Sequence, residues 1–166
     1  MELWDLYSRD RQRLGRTHVR GEPIPEDAFH LVVHVWLRNS RGQYLISRRA
    51  ADRPAFPLMW ECTGGSVLAG EESLTGALRE TREELGISLD PGSGRLVFSK
   101  VRDWVDGVRF GDILDVWLFD FEGEADLDRA EGEAEQARWM DRKEIAALYA
   151  AGEMVETLGY FFEDNF

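Results

Sequence analysis

Glu80, Glu83 and Glu84 stand within one short acidic run, Arg79-Glu80-Thr81-Arg82-Glu83-Glu84, that follows an apolar 3.6-residue pattern. At about 100° per residue, a helix places Glu80 and Glu84 one turn apart with Glu83 beside them. The three carboxylates then crowd one edge, next to the stripe Leu74, Ala77, Leu78, Thr81 and Leu85 that should face the core. Like charges at this spacing destabilise a helix by roughly 0.2–0.5 kcal/mol per pair, and partial burial adds to the cost. Arg79 can pair with Glu83, but one arginine cannot neutralise all three acids. A hard divalent cation, Mg²⁺ or Mn²⁺, suits oxygen ligands placed in this way. Just upstream, Gly64 and Gly65 would let a main-chain carbonyl approach such an ion, and Gly76, on the same helix edge, is expected to leave room for a ligand.

The elements that must position these acids follow from periodicity. The helix runs from Glu72 to Leu85, with Gly86 as its stop. Before it, Leu3–Tyr7 and Leu14–Val19 read as a hairpin, and Pro23 and Pro25 break the chain ahead of a β-branched, aromatic strand over residues 29–38. Asn39-Ser40-Arg41-Gly42 is a turn leading to the partner strand 43–49, with short extended pieces around Trp60–Thr63 and Ser66–Val67. After the helix come strands Leu96–Trp104 and Arg109–Glu122, joined around Asp106-Gly107, then a strand over 134–140, a helix Arg142–Ala151 and a second helix in the tail from Glu153 to Phe161. Strands and helices mix without regular βαβ alternation, which predicts an α+β fold with a mixed sheet between helices. A length of 166 residues points to one domain.

The run Gly65-x5-Glu71-x7-Arg79-Glu80-Thr81-x-Glu83-Glu84-x-Gly86-Ile87 resembles the signature box of the Nudix hydrolases, with Thr81 standing where that pattern has an aliphatic residue. The resemblance implies an α/β/α sandwich with a mixed central sheet. Residues 1–166 would form a single Nudix domain, with 1–28 an N-terminal extension, 64–87 the box and 153–166 a C-terminal helix or tail. It also implies Mg²⁺- or Mn²⁺-dependent cleavage of a diphosphate linkage in a nucleoside-diphosphate-type or other organic diphosphate. Carried onto this chain, Glu80 and Glu84 become the principal metal ligands with the Gly64 carbonyl, and Glu83 a further ligand or a water-orienting base. Glu71 pairs with Arg79, which serves catalysis by holding the box, while Gly65 and Gly86 are structural. A further acid is expected from outside the box: Glu133, with Asp112 and Asp115 as alternatives.

Residues 29–61 are similar to isopentenyl-diphosphate isomerases and their hydrolase cousins through Phe29–Leu37, Arg48-Arg49, Phe56-Pro57 and Trp60. In that branch a Cys-Gly-His run supplies groups for proton transfer at carbon. Here the corresponding stretch is Gly64-Gly65-Ser66, and Cys62 lies two positions early, where a buried, inert thiol is expected. His30 matches a metal-binding histidine of the isomerase, but its partner histidine is missing, so it reads as a core or rim residue. Hydrolysis on an isomerase-like scaffold is the reading, with isomerisation the alternative and a non-catalytic nucleotide sensor the second. Arg48 and Arg49 are candidate phosphate contacts, because arginine matches phosphate geometry. Phe56, Trp60 and Trp104 could stack on a base or cover a prenyl chain.

Composition narrows the partners. The net charge of −12 has the wrong sign for wrapping a nucleic acid polymer, so an anionic substrate needs local cations. The longest apolar runs, Leu31–Val33 and Ile145–Ala151, fall short of a membrane span, and Met1–Asp5 shows no basic region leading into an apolar leader. One cysteine excludes an intrachain disulfide and suits the cytoplasm. Monomer and homodimer are both open.

Overall fold

The computed structural model describes the whole chain except Asp106, Asp164 and Asn165. Asp106 of the expected Asp106-Gly107 turn therefore lies outside the described residues. Strand β1 (Leu3–Tyr7) pairs antiparallel with β2 (Arg13–Val19) as the expected hairpin. Strand β3 (His30–Arg38) lies at the centre of the main sheet. It is parallel to β8 (Val108–Asp120), which pairs antiparallel with β7 (Gly94–Val105). On its other side β3 meets β4 (Tyr44–Arg49) at Arg38↔Tyr44 and β6 (Thr63–Ser66) over Val32–Val35, while β5 (Trp60–Glu61) and β9 (Ala134–Met140) pair with β4.

The alternation of side chains along β3 divides the core in two. Leu31, Val33, Val35 and Leu37 pack with Ala77 and Leu85 of helix α1 (Ser73–Leu85). Val32 and Trp36 face Ile145 of helix α2 (Arg142–Ala150) and Leu158 and Phe161 of a closing 3₁₀ segment, Glu156–Phe162. The result is the expected mixed sheet between helical layers. The tail forms a 3₁₀ segment where an α-helix was expected; Gly159 lies mid-segment, where a Cβ would press on the Tyr149 hydroxyl.

Helix α1 presents a different face to the core from the plain apolar stripe. Gly76, Ala77, Thr81, Glu84 and Leu85 are buried, whereas Leu74 and Leu78 are only half-buried. Gly76 is a packing residue: a Cβ there would come within 2.9 Å of Val67, so the room expected for a ligand is filled by the sheet side of the molecule. The Thr81 hydroxyl, fully buried, donates to the Ala77 carbonyl at 2.8 Å, which satisfies the one polar atom that departs from the aliphatic pattern. At the helix end Gly86 adopts φ 66°, and a side chain would collide with the Asp126 carbonyl. Asp126 N–H bonds the Leu85 carbonyl at 2.8 Å and Glu131 N–H the Glu83 carbonyl at 2.7 Å, so the segment after β8 docks on this helix end.

Candidate active site

Residues 63–66 run antiparallel to β3, and their glycines bring α1 close to the sheet. A Cβ on Gly65 would sit 2.5 Å from the Glu80 carboxyl group, and one on Gly64 would strike the Val33 carbonyl. Gly64 has no room for a side chain because the β3 backbone lies against it, and Gly65 because the Glu80 carboxyl group fills the space above it. Glu84 points inward. It accepts hydrogen bonds from the Thr63 hydroxyl and, at 3.1 Å, from Gly64 N–H. Burial first, then the nearby Glu61 carboxylate, pushes its carboxyl well above the ordinary range. Glu80 is pushed up to about 7 by burial, with Arg79 opposing the shift.

Arg79 ties the box together. Its guanidinium donates to Glu71 at 3.0 Å, to Glu80 at 2.8 Å, to Glu83 at 2.9 Å and to the Ser66 carbonyl at 2.9 Å. Thus one arginine reaches two of the three helix acids as well as Glu71, and Glu84 is left to Thr63 and Gly64. Helix α1 has no side-chain cap at Glu72; the loop before it is held from outside. Glu71 accepts from Leu68 N–H at 3.0 Å, Leu3 accepts from Ala69 N–H at 2.8 Å, and Asp5 accepts from Gly70 N–H at 2.9 Å.

The residues expected outside the box part company. Glu133 lies at the end of the docked segment, 3.6 Å from Arg53, and its charge reaches both Glu61 and Glu80. Asp112 and Asp115 are instead committed to ion pairs. Arg102 grips Asp112 with two bonds of 2.7 Å, and Arg11 holds Asp115 at 2.6 Å. Arg48 donates to the Leu58 carbonyl at 3.1 Å and pairs with Glu135 at 3.1 Å. Arg49 donates to the Ala55 carbonyl at 2.9 Å and pairs with Glu61 at 2.6 Å. Both arginines brace the 55–58 loop rather than standing free for phosphate.

Glu61 is the site residue that the sequence reading missed. It sits on two-residue β5 between Trp60 and Cys62, and burial raises its carboxyl while Arg49 opposes the rise. An acid inside the otherwise apolar run Met59-Trp60-Glu61-Cys62 was the available signal. Below it, Cys62 is 4% exposed, and burial followed by the Glu61 and Glu84 charges drives its thiol upward. His34 shares a 2.8 Å hydrogen bond with the Tyr160 hydroxyl, and burial lowers it to about 3. His30 stacks on Trp4 with ring centroids 4.1 Å apart, and its Nδ1 has no partner among the described residues. Trp60 is buried; Phe56 and Trp104 are exposed.

Whether these acids suit a divalent cation is decided by donor chemistry. Glu80, Glu83 and Glu84 are all oxygen donors; Glu84 is buried and Glu80 half-buried, and burial raises both carboxyl groups. Among the described residues, no three acid, histidine or cysteine groups already stand together as a cage. The carboxylates point apart toward Thr63, Gly65 and Arg79, so the set fits a divalent ion in the chemistry of its donors and not as a formed cage.

Comparison with known proteins places this site in a family. The NUDIX domain model matches residues 28–162. An uncharacterized Nudix hydrolase of Listeria monocytogenes is 37% identical over 164 residues, covering 98% of this chain and 91% of that protein. An isopentenyl-diphosphate Delta-isomerase of Shigella flexneri is 38% identical over 64 residues, only 38% of this chain and 35% of the isomerase. A crystal structure from Deinococcus radiodurans superposes with a TM-score of 0.75 at 27% identity, covering 93% of this chain and 92% of that one. With the box built on α1 and its glycine loop, and the family model spanning the central sheet, the chain belongs to the Nudix hydrolase family.

Proposed function

We propose that the protein is a Mg²⁺- or Mn²⁺-dependent hydrolase of an organic diphosphate, acting as a single domain of residues 1–166 in the cytoplasm. The observation that carries this reading is the adjacent pair of oxygen donors on one helix edge, half-buried Glu80 and buried Glu84, beside the Gly64-Gly65 strand; burial raises both carboxyl groups, and Arg79 bonds Glu80 but not Glu84. Such a pair gains most from a divalent cation, and Nudix enzymes in general use divalent metals. Glu80 and Glu84 would hold the ion with the Gly64 carbonyl, and Glu83 would add a ligand or orient the attacking water. When bound, a divalent cation neutralises diphosphate charge and makes water a nucleophile near neutral pH.

The remaining roles belong to the chain itself. Arg79 keeps Glu80 and Glu83 aimed at the substrate side, and Glu71 locks Arg79 to the loop. Glu133, half-buried and within electrostatic reach of Glu80, would take the proton from water at its carboxylate. Glu61, fixed by Arg49, is the competing base. Cys62 and His34 take no part: the thiol is held protonated by burial, and the imidazole is neutral and bonded to Tyr160.

The test is a panel of nucleoside diphosphates and triphosphates, diphosphate sugars, dinucleotides and isopentenyl diphosphate, assayed with Mg²⁺ and with Mn²⁺. Metal-dependent release of phosphate or a nucleotide from at least one is expected. The partial match to the isomerase keeps one rival in view. Conversion of isopentenyl to dimethylallyl diphosphate at a rate equal to the best hydrolysis would replace the hydrolase reading.

A further inference from the structure

We propose that Asp5, on the N-terminal hairpin, is a positioning residue for hydrolysis: it fixes the turn that carries Glu71, and through Glu71 and Arg79 it sets the aim of Glu80 and Glu83. The proposal rests on the diphosphate-hydrolase reading. The turn joins β6, which ends at Ser66, to α1, which begins at Ser73. Each backbone N–H from Val67 to Glu71 is bonded, and the partners show what holds the turn. Val67 donates to the Leu31 carbonyl at 2.9 Å, and Leu68 and Glu71 close on each other within the turn. At the tip, Ala69 and Gly70 both donate to β1. Ala69 reaches the Leu3 carbonyl at 2.8 Å, and Gly70 reaches the Asp5 carboxylate at 2.9 Å.

The turn needs that outside support. Gly70 is exposed and stands at φ 83°, in the left-handed region. Helix α1 supplies no anchor of its own there, since the Glu72 side chain makes no cap. The hairpin, by contrast, is firmly seated. Along β1, Trp4 and Leu6 are buried, with Trp4 stacked on His30 of β3, while Asp5 points the other way, to the loop. Tyr7 and Phe29 exchange backbone bonds of 2.7 and 2.9 Å, and Arg11 holds Asp115 of β8. These fastenings to the main sheet do not involve Asp5. Arg13 of β2 adds a second tie to the turn, donating to the Glu71 carbonyl at 3.1 Å and to the Glu72 carboxylate at 2.8 Å.

Glu71 passes this position on. Its carboxylate accepts from Leu68 N–H and from two nitrogens of Arg79, Nε at 3.0 Å and Nη2 at 3.1 Å. The third nitrogen, Nη1, donates to Glu80 at 2.8 Å and to Glu83 at 2.9 Å. A guanidinium is planar and rigid, so the direction of the Glu71 bonds dictates where Nη1 points. A shift of the turn tip thus reaches the two helix acids as a rotation of one plane. Misplacing a supporting group by about 1 Å can cost about a hundredfold in rate. The Ser66 carbonyl braces the same plane at 2.9 Å, so loss of Asp5 loosens the aim without abolishing it. Glu84 lies outside this relay, held by Thr63 and Gly64.

The experiment compares the wild type with Asp5→Ala, Asp5→Asn and Arg16→Ala. Asparagine keeps an oxygen to accept the Gly70 N–H and alanine has none, while Arg16→Ala removes a hairpin charge paired with exposed Asp27 at 3.4 Å. In Asp5→Ala, kcat per folded molecule should fall about tenfold, the low end for a group standing behind a metal ligand. The Mn²⁺ dissociation constant, read from the paramagnetic resonance of free Mn²⁺, should rise by about the same factor. KM for the organic diphosphate should hold. Asp5→Asn should recover most of both losses, and Arg16→Ala should show neither. In metal-free protein the Arg79 Nε–H resonance should move in Asp5→Ala and stay in place in Arg16→Ala. If Asp5→Ala does not fold, Asp5→Leu, of similar shape and with no acceptor, takes its place. A lower urea midpoint with kcat and Mn²⁺ affinity unchanged, or no recovery in Asp5→Asn, would overturn the proposal. Because Mn²⁺ binding and the Arg79 resonance need no turnover, loss of the hydrolase reading and loss of this one are separately visible.

Discussion

Asp115 on β8 and Glu84 on α1 are both nearly excluded from solvent, at 1% and 6% exposure, yet their carboxyl groups are driven in opposite directions. Burial pushes Asp115 up, but hydrogen bonds from Arg11, Ser73 and Ser99 and the Arg11 charge bring it below its ordinary value. Burial pushes Glu84 up as well, and there only Thr63 and Gly64 N–H oppose it, against two further carboxylates. Desolvation alone does not decide what a buried acid becomes; at Asp115 three hydrogen bonds and a guanidinium together outweigh it, whereas at Asp112 the Arg102 guanidinium does not. Asp115 is a finished ion pair and belongs to the fold. Glu84 is unfinished, and a cation bound from solution is what would complete it.

The largest effect should come from breaking the unfinished member. Glu84→Gln keeps the shape and removes the charge that a divalent ion would meet. A loss of about a thousandfold in kcat/KM is expected, on the order of 4 kcal/mol of transition-state stabilisation. Melting in metal-free buffer should show a midpoint equal to or above that of the wild type, because crowding with Glu61 and Glu80 is relieved. Wild-type activity at limiting Mg²⁺ would remove Glu84 from the ligand set.

Breaking the finished member should do the reverse. Asp115→Asn strands Arg11 and weakens the bond from Ser99, at 2.7 Å in the native protein. Unfolding free energy should fall by about 3 kcal/mol, at the low end for a broken buried pair because Arg11 keeps partial access to water. Turnover per folded molecule should remain near the wild-type value. A large drop in kcat with little change in denaturation midpoint would mean that Asp115, not Glu133, serves the chemistry.

This contrast marks what could be read from the chain alone. The box, its helix and the αL stop at Gly86 were legible because their spacing repeats at 3.6 residues and ends on a glycine. Periodicity gives the angle of a side chain but not its neighbour, so Gly76 looked like room for a ligand when Val67 occupies that space. The ion pairs that silence Asp115 and Asp112 join distant elements; Arg11 comes from before β2, and Arg102 from the neighbouring strand. Glu61 lies on a strand of two residues, too short for any pattern, and its significance comes from Arg49 and Glu84 beside it. Arg48 and Arg49 were visible as charges, but their use in bracing a loop needed the carbonyls of Ala55 and Leu58.

The histidines sharpen the comparison through pH. Burial, then Arg102 and His18, lowers His30 to about 4. Its folded pKa lies below the unfolded value, so its contribution to stability is present above about 6.5 and is lost as pH falls toward 4. Glu80 acts with the opposite sign over part of this range: its folded pKa of about 7 favours folding as pH falls and is lost as pH rises through 7. His30→Phe keeps a ring against Trp4 and removes the titration. Between pH 7 and 4 in metal-free buffer, the wild type should lose about 2 kcal/mol relative to this variant. Parallel denaturation curves across the range would show that His30 is charged in the folded protein.

The smallest effect belongs to Cys62, which lies between Glu61 and the Tyr160 hydroxyl yet should matter least. Its thiol is 4% exposed and held protonated by burial and by two neighbouring carboxylates, Glu61 and Glu84. A thiol so placed is a poor nucleophile and a poor acid for carbon, because attack and proton exchange both need access and an accessible thiolate. Hydrolysis by activated water needs neither. Cys62→Ala removes one sulfur from a packed layer with Trp36 and Leu158, which should cost about 1 kcal/mol of stability and leave most of the diphosphatase activity. Iodoacetamide should modify the native protein far more slowly than the unfolded chain, with activity falling no faster than the labelling. If folded Cys62→Ala lost all turnover while binding a nucleotide normally, the thiol would be chemical rather than structural, and isomerisation would again have to be weighed against hydrolysis.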